Sequence, residues 1–269
     1  MNILILGDIV GPSGREIVIK ELPNLIKKKK LDFVIANGEN AADQGVGITK
    51  KNTEDFFEAG IDVITTGNHV WDQKETMEFI SLEKRLLRPE NLVKGSPGQG
   101  IGTFKSKNNK KIVVINLMGN VFMKKCENVF DVAKKLIQTV ELKKEADFII
   151  VDLHAEITSE KMAMGHMFDG KATLVVGTHT HVPTSDFRIM EKGTAYQTDL
   201  GMCEDYNSVI GMNKDNSLKK FLNDSSAQKH YPALGKATIS GLMVEGDNST
   251  GLAKKVEPII IGSVLENRI

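Results

Sequence analysis

The chain has 269 residues, 41% hydrophobic and 26% charged, the balance of a globular domain and not of a disordered or fibrous chain. Lysine plus arginine and aspartate plus glutamate both number 35, so the formal charge is zero and no whole-molecule field gathers nucleic acid or an anionic membrane. Cys126 and Cys203 are too few for a disulfide framework, and no apolar run reaches the ~20 residues of a membrane helix, so a cytoplasmic protein with no membrane association and no stable nucleic-acid binding is expected.

Ile3-Leu4-Ile5-Leu6 ends in Gly7-Asp8; with no basic segment before it, the run reads as a first strand and not as a signal peptide. Gly11-Pro12-Ser13-Gly14 turns into a helix from about Arg15 to Lys30, which Pro23 is expected to kink or split. Its tail of four lysines, Lys27 to Lys30, reads as a solvated helix end, where cations suit the dipole, ahead of an anion patch. Phe33-Val34-Ile35-Ala36 is a second strand, ending in Asn37-Gly38-Glu39-Asn40. A helix from Asn52 to Ala59 stops at Gly60, and Val63-Ile64-Thr65-Thr66 is a third strand ending in Gly67-Asn68-His69. Gln73 to Leu87 reads as a helix, followed by a Gly/Pro-rich loop from Lys94 to Gly102 and a strand from Lys111 to Leu117.

Residues 129–146 read as helical, with Val132, Leu136, Ile137 and Val140 spaced to face a core. Phe148-Ile149-Ile150-Val151 ends in Asp152-Leu153-His154, and Leu174-Val175-Val176 in Gly177-Thr178-His179-Thr180-His181. Residues 186–200 read as a strand pair returning to the same rim, and 204–235 as a polar, irregular stretch suited to a lid or an oligomer contact. Ala237 to Glu245 and Val256 to Ile261 are late strands. Alternating strands and helices predict an α/β protein with a mostly parallel sheet. No linker or repeat interrupts the chain, so a single domain over 1–269 is expected.

Ligands in open α/β sheets bind at the carboxyl ends of the strands, and five strands here end in metal-binding groups. Asp8, Glu39, Asn40, Asn68, His154, His179 and His181 form a mixed nitrogen and oxygen set without thiolate, unlike a structural zinc site. Imidazole suits iron, zinc, copper or nickel, and the oxygens suit harder ions such as manganese. Seven ligands are too many for one tetrahedral ion but suit two, with one carboxylate shared. Such pairs, ~3.5–4 Å apart, clamp the attacking and leaving oxygens of a phosphoryl displacement. His179 and His181 are expected to point the same way from an extended segment. His69 stands apart: Asn68 directs its amide to a metal, which leaves His69 at the rim to protonate a leaving alkoxide. The plainer alternative is a histidine that only orients Asn68. Trp71 suits a base-binding wall or simple packing equally. His166 reads as structural or as support behind the ligands, and nothing surrounds His230 to give it a role. Gly7 to Gly14 spells G-x-x-x-G-x-x-G, not the dinucleotide fingerprint, and no P-loop is present.

Taken together, Gly7-Asp8, Gly38-Glu39-Asn40, Gly67-Asn68-His69 and Gly177 to His181 resemble the calcineurin-like metallophosphoesterases. The stretches Gly38 to Ala42, Gly67 to Asp72, Gly177 to Pro183 and Tyr196 to Met202 are closer to the YmdB-like branch, bacterial cyclic-nucleotide phosphodiesterases. The resemblance spans essentially the whole chain. It implies an α/β fold arranged as a four-layer αββα sandwich, and a dinuclear centre usually of iron, with manganese and zinc compatible with the same ligands. One ion would take Asp8, Glu39 and His181; the other would take Glu39, Asn40, Asn68, His154 and His179, with Glu39 bridging and His69 as proton donor. The wider superfamily's Asp-x-His is Asp8-Ile9-Val10 here, and its bridging Asp is Glu39. Both departures are shared with the branch and leave one ion room for water or substrate. Cys203-Glu204-Asp205 departs from the Gly-Pro often found in the branch, which puts the shape of that loop in question.

The activity so implied is hydrolysis of small cyclic nucleotides, 2′,3′-cyclic first and 3′,5′-cyclic second, by a metal-activated hydroxide with a histidine general acid. The alternatives are a phosphomonoesterase or phosphoprotein phosphatase, and a regulator that binds a metal-held nucleotide or RNA end with incidental turnover. A homo-oligomer is compatible with all of them.

Overall fold

The computed structural model describes residues 1–262 and 264–269. β1 (Asn2–Val10), buried from Ile3 onward, feeds α1 (Gly11–Lys29). This helix starts ahead of the expected Arg15, with Pro12 in its first turn, where a missing N–H costs nothing. It also runs through Pro23 unbroken: the carbonyl that Pro23 leaves without a donor belongs to solvent-exposed Ile19. Lys27 and Lys28 are exposed in its last turn, as the solvated reading expects. β2 (Phe33–Asn40) is buried throughout. α2 (Lys50–Ala59) opens on a reciprocal Thr49/Asn52 cap and stops at Gly60, φ 106°.

After β3 (Val63–Thr65), the helix expected from Gln73 to Leu87 shrinks to the single turn α3 (Thr76–Phe79). The cause is sheet pairing: Ile64 N–H donates to the Arg85 carbonyl and Leu87 N–H to the Ile64 carbonyl, which draws this segment alongside β3. β4 (Ile101–Lys105), read as the end of a loop, pairs antiparallel with β5 (Lys111–Met118). α4 (Val129–Thr139) is capped by Asn128 and ends well short of 146, where Leu142 bridges back to Ala146 instead. It buries Val129 and Ala133, while Val132, Leu136, Ile137 and Val140 pack half-buried on the same core.

β6 (Phe148–His154) and β7 (Leu174–Thr178) follow, separated by α5 (Thr158–Phe168), a helix the sequence pattern did not reveal. β8 (Arg188–Ile189) and β9 (Ala195–Gln197) are the expected pair over 186–200. β10 (Met202–Cys203) is short, and α6 (Lys214–Phe221) lies within the stretch expected to be irregular. β11 (Ile239–Gly246) and β12 (Ala253–Ile261) close the chain as an antiparallel pair.

The strands form two six-stranded mixed sheets, not one mostly parallel sheet. The first runs β12-β11-β1-β2-β3, with β10 pairing the end of β1 so that Met202 lies opposite Asp8. The second runs β4-β5-β6-β7-β9-β8. Side chains alternate between faces, so each sheet feeds two cores. Ile3, Ile5, Phe33 and Ile35 meet Ile112, Val114, Phe148 and Ile150 between the sheets. The opposite face of the first sheet packs Leu4, Leu6 and Val34 on Val18 and Leu22 of α1 and Phe56 of α2. That of the second packs Ile115, Ile149 and Val151 on Ala133 of α4 and Met164 of α5. Burial on both faces is why the strands read as unbroken apolar runs. Among the described residues no helix is long and apolar enough to cross a membrane.

Candidate metal centre

The rim of the two sheets collects the groups singled out in the sequence. From the first sheet come Asp8 near the end of β1, Glu39 and Asn40 at the end of β2, and Asn68 and His69 just after β3. From the second come His154, the last residue of β6, and His179 and His181 just after β7. Ligand atoms of Glu39, His154 and His179 lie within 4.8 Å of one another. His154 Nε2 is the focus: Glu39 Oε1 lies 2.8 Å away, His179 Nδ1 3.0 Å and Asn68 Oδ1 3.2 Å. Asp8 Oδ1 is 3.8 Å from His154 Nδ1 and also 3.8 Å from His181 Nε2, while its Oδ2 accepts from the His179 backbone N–H at 3.0 Å. The chain passes so close over His154 that a Cβ at position 67 would lie 2.1 Å from the imidazole Cδ2, which requires Gly67.

His179 and His181 reach the site by a different route from the one expected. β7 ends at Thr178, and the two histidines have φ of 104° and 66°, left-handed and not extended. Their side chains converge because the turn folds back over the rim, not because alternate residues of a strand share a face. The turn is held by Asp199, whose Oδ2 accepts from the Thr180 N–H at 3.1 Å and from Lys161 Nζ at 2.6 Å, in a fully buried ion pair that ties it to α5.

The contacts of the histidine rings test whether these residues fit a metal. A metal-binding imidazole offers a lone pair inward and donates its other N–H to an acceptor. His154 Nδ1 faces Thr178 Oγ1 at 2.9 Å, and that hydroxyl in turn donates to Asp152 Oδ1 at 2.8 Å. His179 Nε2 faces Glu156 Oε2 at 3.1 Å. His181 Nδ1 donates to the Ile210 carbonyl at 2.8 Å. His154 and His181 each have an acceptor at Nδ1 and turn Nε2 toward Glu39 and Asp8, while His179 turns Nδ1 to His154 and Nε2 to Glu156, which lines the cavity. Two inward oxygens, Asp8 Oδ1 and Asn40 Oδ1, are buried without a hydrogen-bond partner; the Asn40 amide is fixed by donating to the Gly45 carbonyl at 2.9 Å. Two buried acceptors with nothing to accept from, beside three imidazoles and a second carboxylate, are what a cation would satisfy. The donor set fits a metal.

Without a cation the charges sort themselves unevenly. Burial pushes the Asp8 carboxyl up to about 6 against the pull of His181 and His154. Burial also opposes charge on Glu39 and on His154, yet their mutual contact holds the carboxyl down at about 2 and carries the imidazole up to about 9. Burial and the charge on His154 push neighbouring His179 down to about 3. A bound metal would take the place of the proton shared by Glu39 and His154.

His69 stands at the rim as expected. Its backbone N–H donates to Glu39 Oε2 at 3.0 Å, and its Nδ1 lies 2.7 Å from Asp72 Oδ2. Asp72 and Lys124 are contributors the sequence reading did not assign: Lys124 Nζ reaches the Asn68 carbonyl at 2.5 Å and Asp72 Oδ1 at 3.4 Å. Trp71 packs against the α1/α2 core and does not line the cavity. His166 and His230 are exposed and outside the cluster. The cavity over the centre encloses about 290 Å³. Its polar lining is Glu39, Asn40, His69, Glu156, His179, Thr180 and His181; its apolar lining is Val46, Ile210 and Met212.

Two sheets ending in one rim of carboxylate, amide and imidazole groups form a candidate metal site, and the relatives give the class of enzyme. The model of the YmdB-like protein family matches residues 4–259, and the chain belongs to that family. It is 44% identical over 261 residues, 97% of each chain, to a Bacillus subtilis (strain 168) protein named 2′,3′-cyclic-nucleotide 2′-phosphodiesterase. Among solved structures, a Mycoplasma pneumoniae protein described as a novel phosphatase superposes with a TM-score of 0.89 at 40% identity, covering 97% of this chain and 93% of that one. A hypothetical protein from Thermus thermophilus superposes with a TM-score of 0.88 at 35% identity, covering 98% and 100%. The protein is an enzyme of the hydrolase class to which its named relatives belong.

Proposed function

We propose that the protein is a metal-dependent phosphodiesterase of small cyclic nucleotides, with 2′,3′-cyclic nucleotides preferred and 3′,5′-cyclic ones secondary. The observation that carries the metal half of this reading is convergence: ligand atoms of Glu39, His154 and His179 lie within 4.8 Å of one another, beside the unpartnered buried oxygens of Asp8 and Asn40. We assign two ions, iron first and manganese or zinc as substitutes, to Asp8, Glu39 and His181 on one side and Glu39, Asn40, Asn68, His154 and His179 on the other. When bound, such ions supply an activated water and neutralise charge on the phosphoryl oxygens. The chain's own contribution to bond cleavage is His69. With Nδ1–H donated to Asp72, its Nε2 serves the cavity and gives a proton to the departing ribose oxygen.

The diester half rests on the name of the Bacillus subtilis relative and on the cavity lining, which among the described residues includes no arginine or lysine. A terminal phosphate monoester brings a second negative charge that this lining does not meet. The three cores support a four-layer arrangement of helices, two sheets and helices, and the core shared between the sheets supports a single domain. The test is hydrolysis of 2′,3′-cyclic AMP by protein purified with its native metals. Chelated protein and His154→Ala are both expected to be inactive. Absence of turnover from wild-type protein shown by elemental analysis to carry metal overturns the cyclic-nucleotide assignment.

A further inference from the structure

Residues 209–212 form a tight turn that faces the metal centre. Val209 N–H donates to the Met212 carbonyl and Met212 N–H to the Val209 carbonyl, both at 3.0 Å. The two residues between them are left-handed, Ile210 at φ 48° and Gly211 at φ 89°. Turns with positive φ at both central positions take Asn, Asp or Gly at the first, where a β-branched side chain is strained. Ile210 is 55% exposed, so core packing does not hold it in this conformation.

The turn makes two contributions to the site. The Ile210 carbonyl accepts from His181 Nδ1, but any residue supplies a carbonyl. The side chains of Ile210 and Met212, together with Val46 from the loop after β2, make the apolar wall of the cavity. That loop and the turn are in contact, since a Cβ on Gly45 would lie 2.9 Å from Met212 Cε. A strained, exposed, β-branched residue that neither the fold nor His181 requires is accounted for by a ligand.

We infer that Ile210, with Met212 and Val46, is the surface on which the nucleoside part of the substrate rests while its phosphate lies at the metal ligands; this rests on the phosphodiesterase reading above. A cyclic nucleotide is divided as the cavity is, a charged phosphate at one end and the apolar face of a planar base at the other. Ile210 is therefore a specificity-determining residue.

Ile210→Asn tests this. Asn is favoured at this turn position, so the thermal midpoint rises, by about 2–4 °C for a chain of this size. Metal content stays at the wild-type level, because the carbonyl that orients His181 remains. KM for 2′,3′-cyclic AMP rises about 10-fold, the loss expected for a missing aliphatic contact, with kcat within about twofold. Competitive inhibition by adenosine 3′-phosphate weakens in the same proportion, while inhibition by inorganic phosphate, which has no base, is unchanged. Val46→Ala gives the same split between the two inhibitors without the gain in midpoint, and serves if Ile210→Asn does not fold. Unchanged KM and unchanged inhibition by adenosine 3′-phosphate overturn the inference, as does equal weakening of both inhibitors. If wild-type protein turns over no cyclic nucleotide, the functional reading fails separately. The wall is then read from calorimetric binding of adenosine 3′-phosphate and of phosphate, and equal affinities in wild type and variant overturn it.

Discussion

His69 Nδ1 and Asp72 Oδ2 face each other across a tight turn at 2.7 Å, a contact that supports the proposed role of His69. A ring that donates its Nδ1–H to this carboxylate keeps Nε2 for the cavity that His69 lines. On the proposed mechanism, replacing His69 with Ala lowers kcat on 2′,3′-cyclic AMP by about 10²–10⁴-fold, the usual loss of a general acid. A nitrophenolate leaving group needs little protonation, so the same variant retains much more activity on bis-nitrophenyl phosphate. Elemental analysis shows unchanged metal, since His69 is not among the inward ligands. Equal losses on the two substrates, or loss of metal, would remove His69 from the role. Asp72 was legible as a near neighbour in the Gly67 to Asp72 motif. The Ile210 carbonyl was not, because a backbone acceptor leaves no mark in the sequence.

The strands were the most legible elements, since a strand buried on both faces is apolar along its whole length, and five such runs ended in the groups found at the rim. Helices were less so. α5 buries Glu160 and Lys161 beside Met164 and Phe168, so it carries no clean apolar stripe, and the segment after His69 gave up helix to pair with β3. The unusual Cys203-Glu204-Asp205 stretch extends the first sheet, with Cys203 opposite Ile9 and Glu204 bridged to Thr238, and leaves the metal ligands undisturbed. It does place an acid in the interior. Burial pushes the Glu204 carboxyl from 4.5 up to about 8, with the Asp205 charge adding to the rise and the Gly14 and Asp205 backbone N–H groups and the Arg15 charge opposing it. The buried Cys203 thiol also faces it. The folded state thus keeps a proton that the unfolded chain has lost, and this site's contribution to stability declines as pH rises from about 4.5 to about 8. Glu204→Gln removes the dependence. Thermal melts of the two proteins across that window should diverge in favour of the variant, by on the order of 5 kcal/mol at the upper end. A difference that stays flat with pH would show that Glu204 is not held neutral.

At the scale of the whole molecule, the candidate metal centre is a junction between the two sheets. Asp8, Glu39, Asn40 and Asn68 come from the first and His154, His179 and His181 from the second. Glu39 meets His154 at 2.8 Å and Asp8 meets the His179 backbone at 3.0 Å across the seam, continuing the apolar core that Ile3, Phe33, Ile112 and Phe148 form between the sheets. The ligands are scattered from residue 8 to residue 181, so the unfolded chain does not present them together and a bound metal stabilises only the folded form. At a metal concentration of about 1,000 times Kd that stabilisation is about 4 kcal/mol. Each kcal/mol moves the midpoint by roughly 2–4 °C in a chain of this size, so complete chelation is expected to lower it by about 8–16 °C. If the shared core makes one domain, the melt remains a single cooperative transition before and after chelation, and probes in either sheet report the same midpoint. Calorimetry with and without chelator decides this. Two transitions, of which chelation shifts only one, would mean that the sheets unfold separately and that the metal serves one of them, contrary to ligands drawn from both.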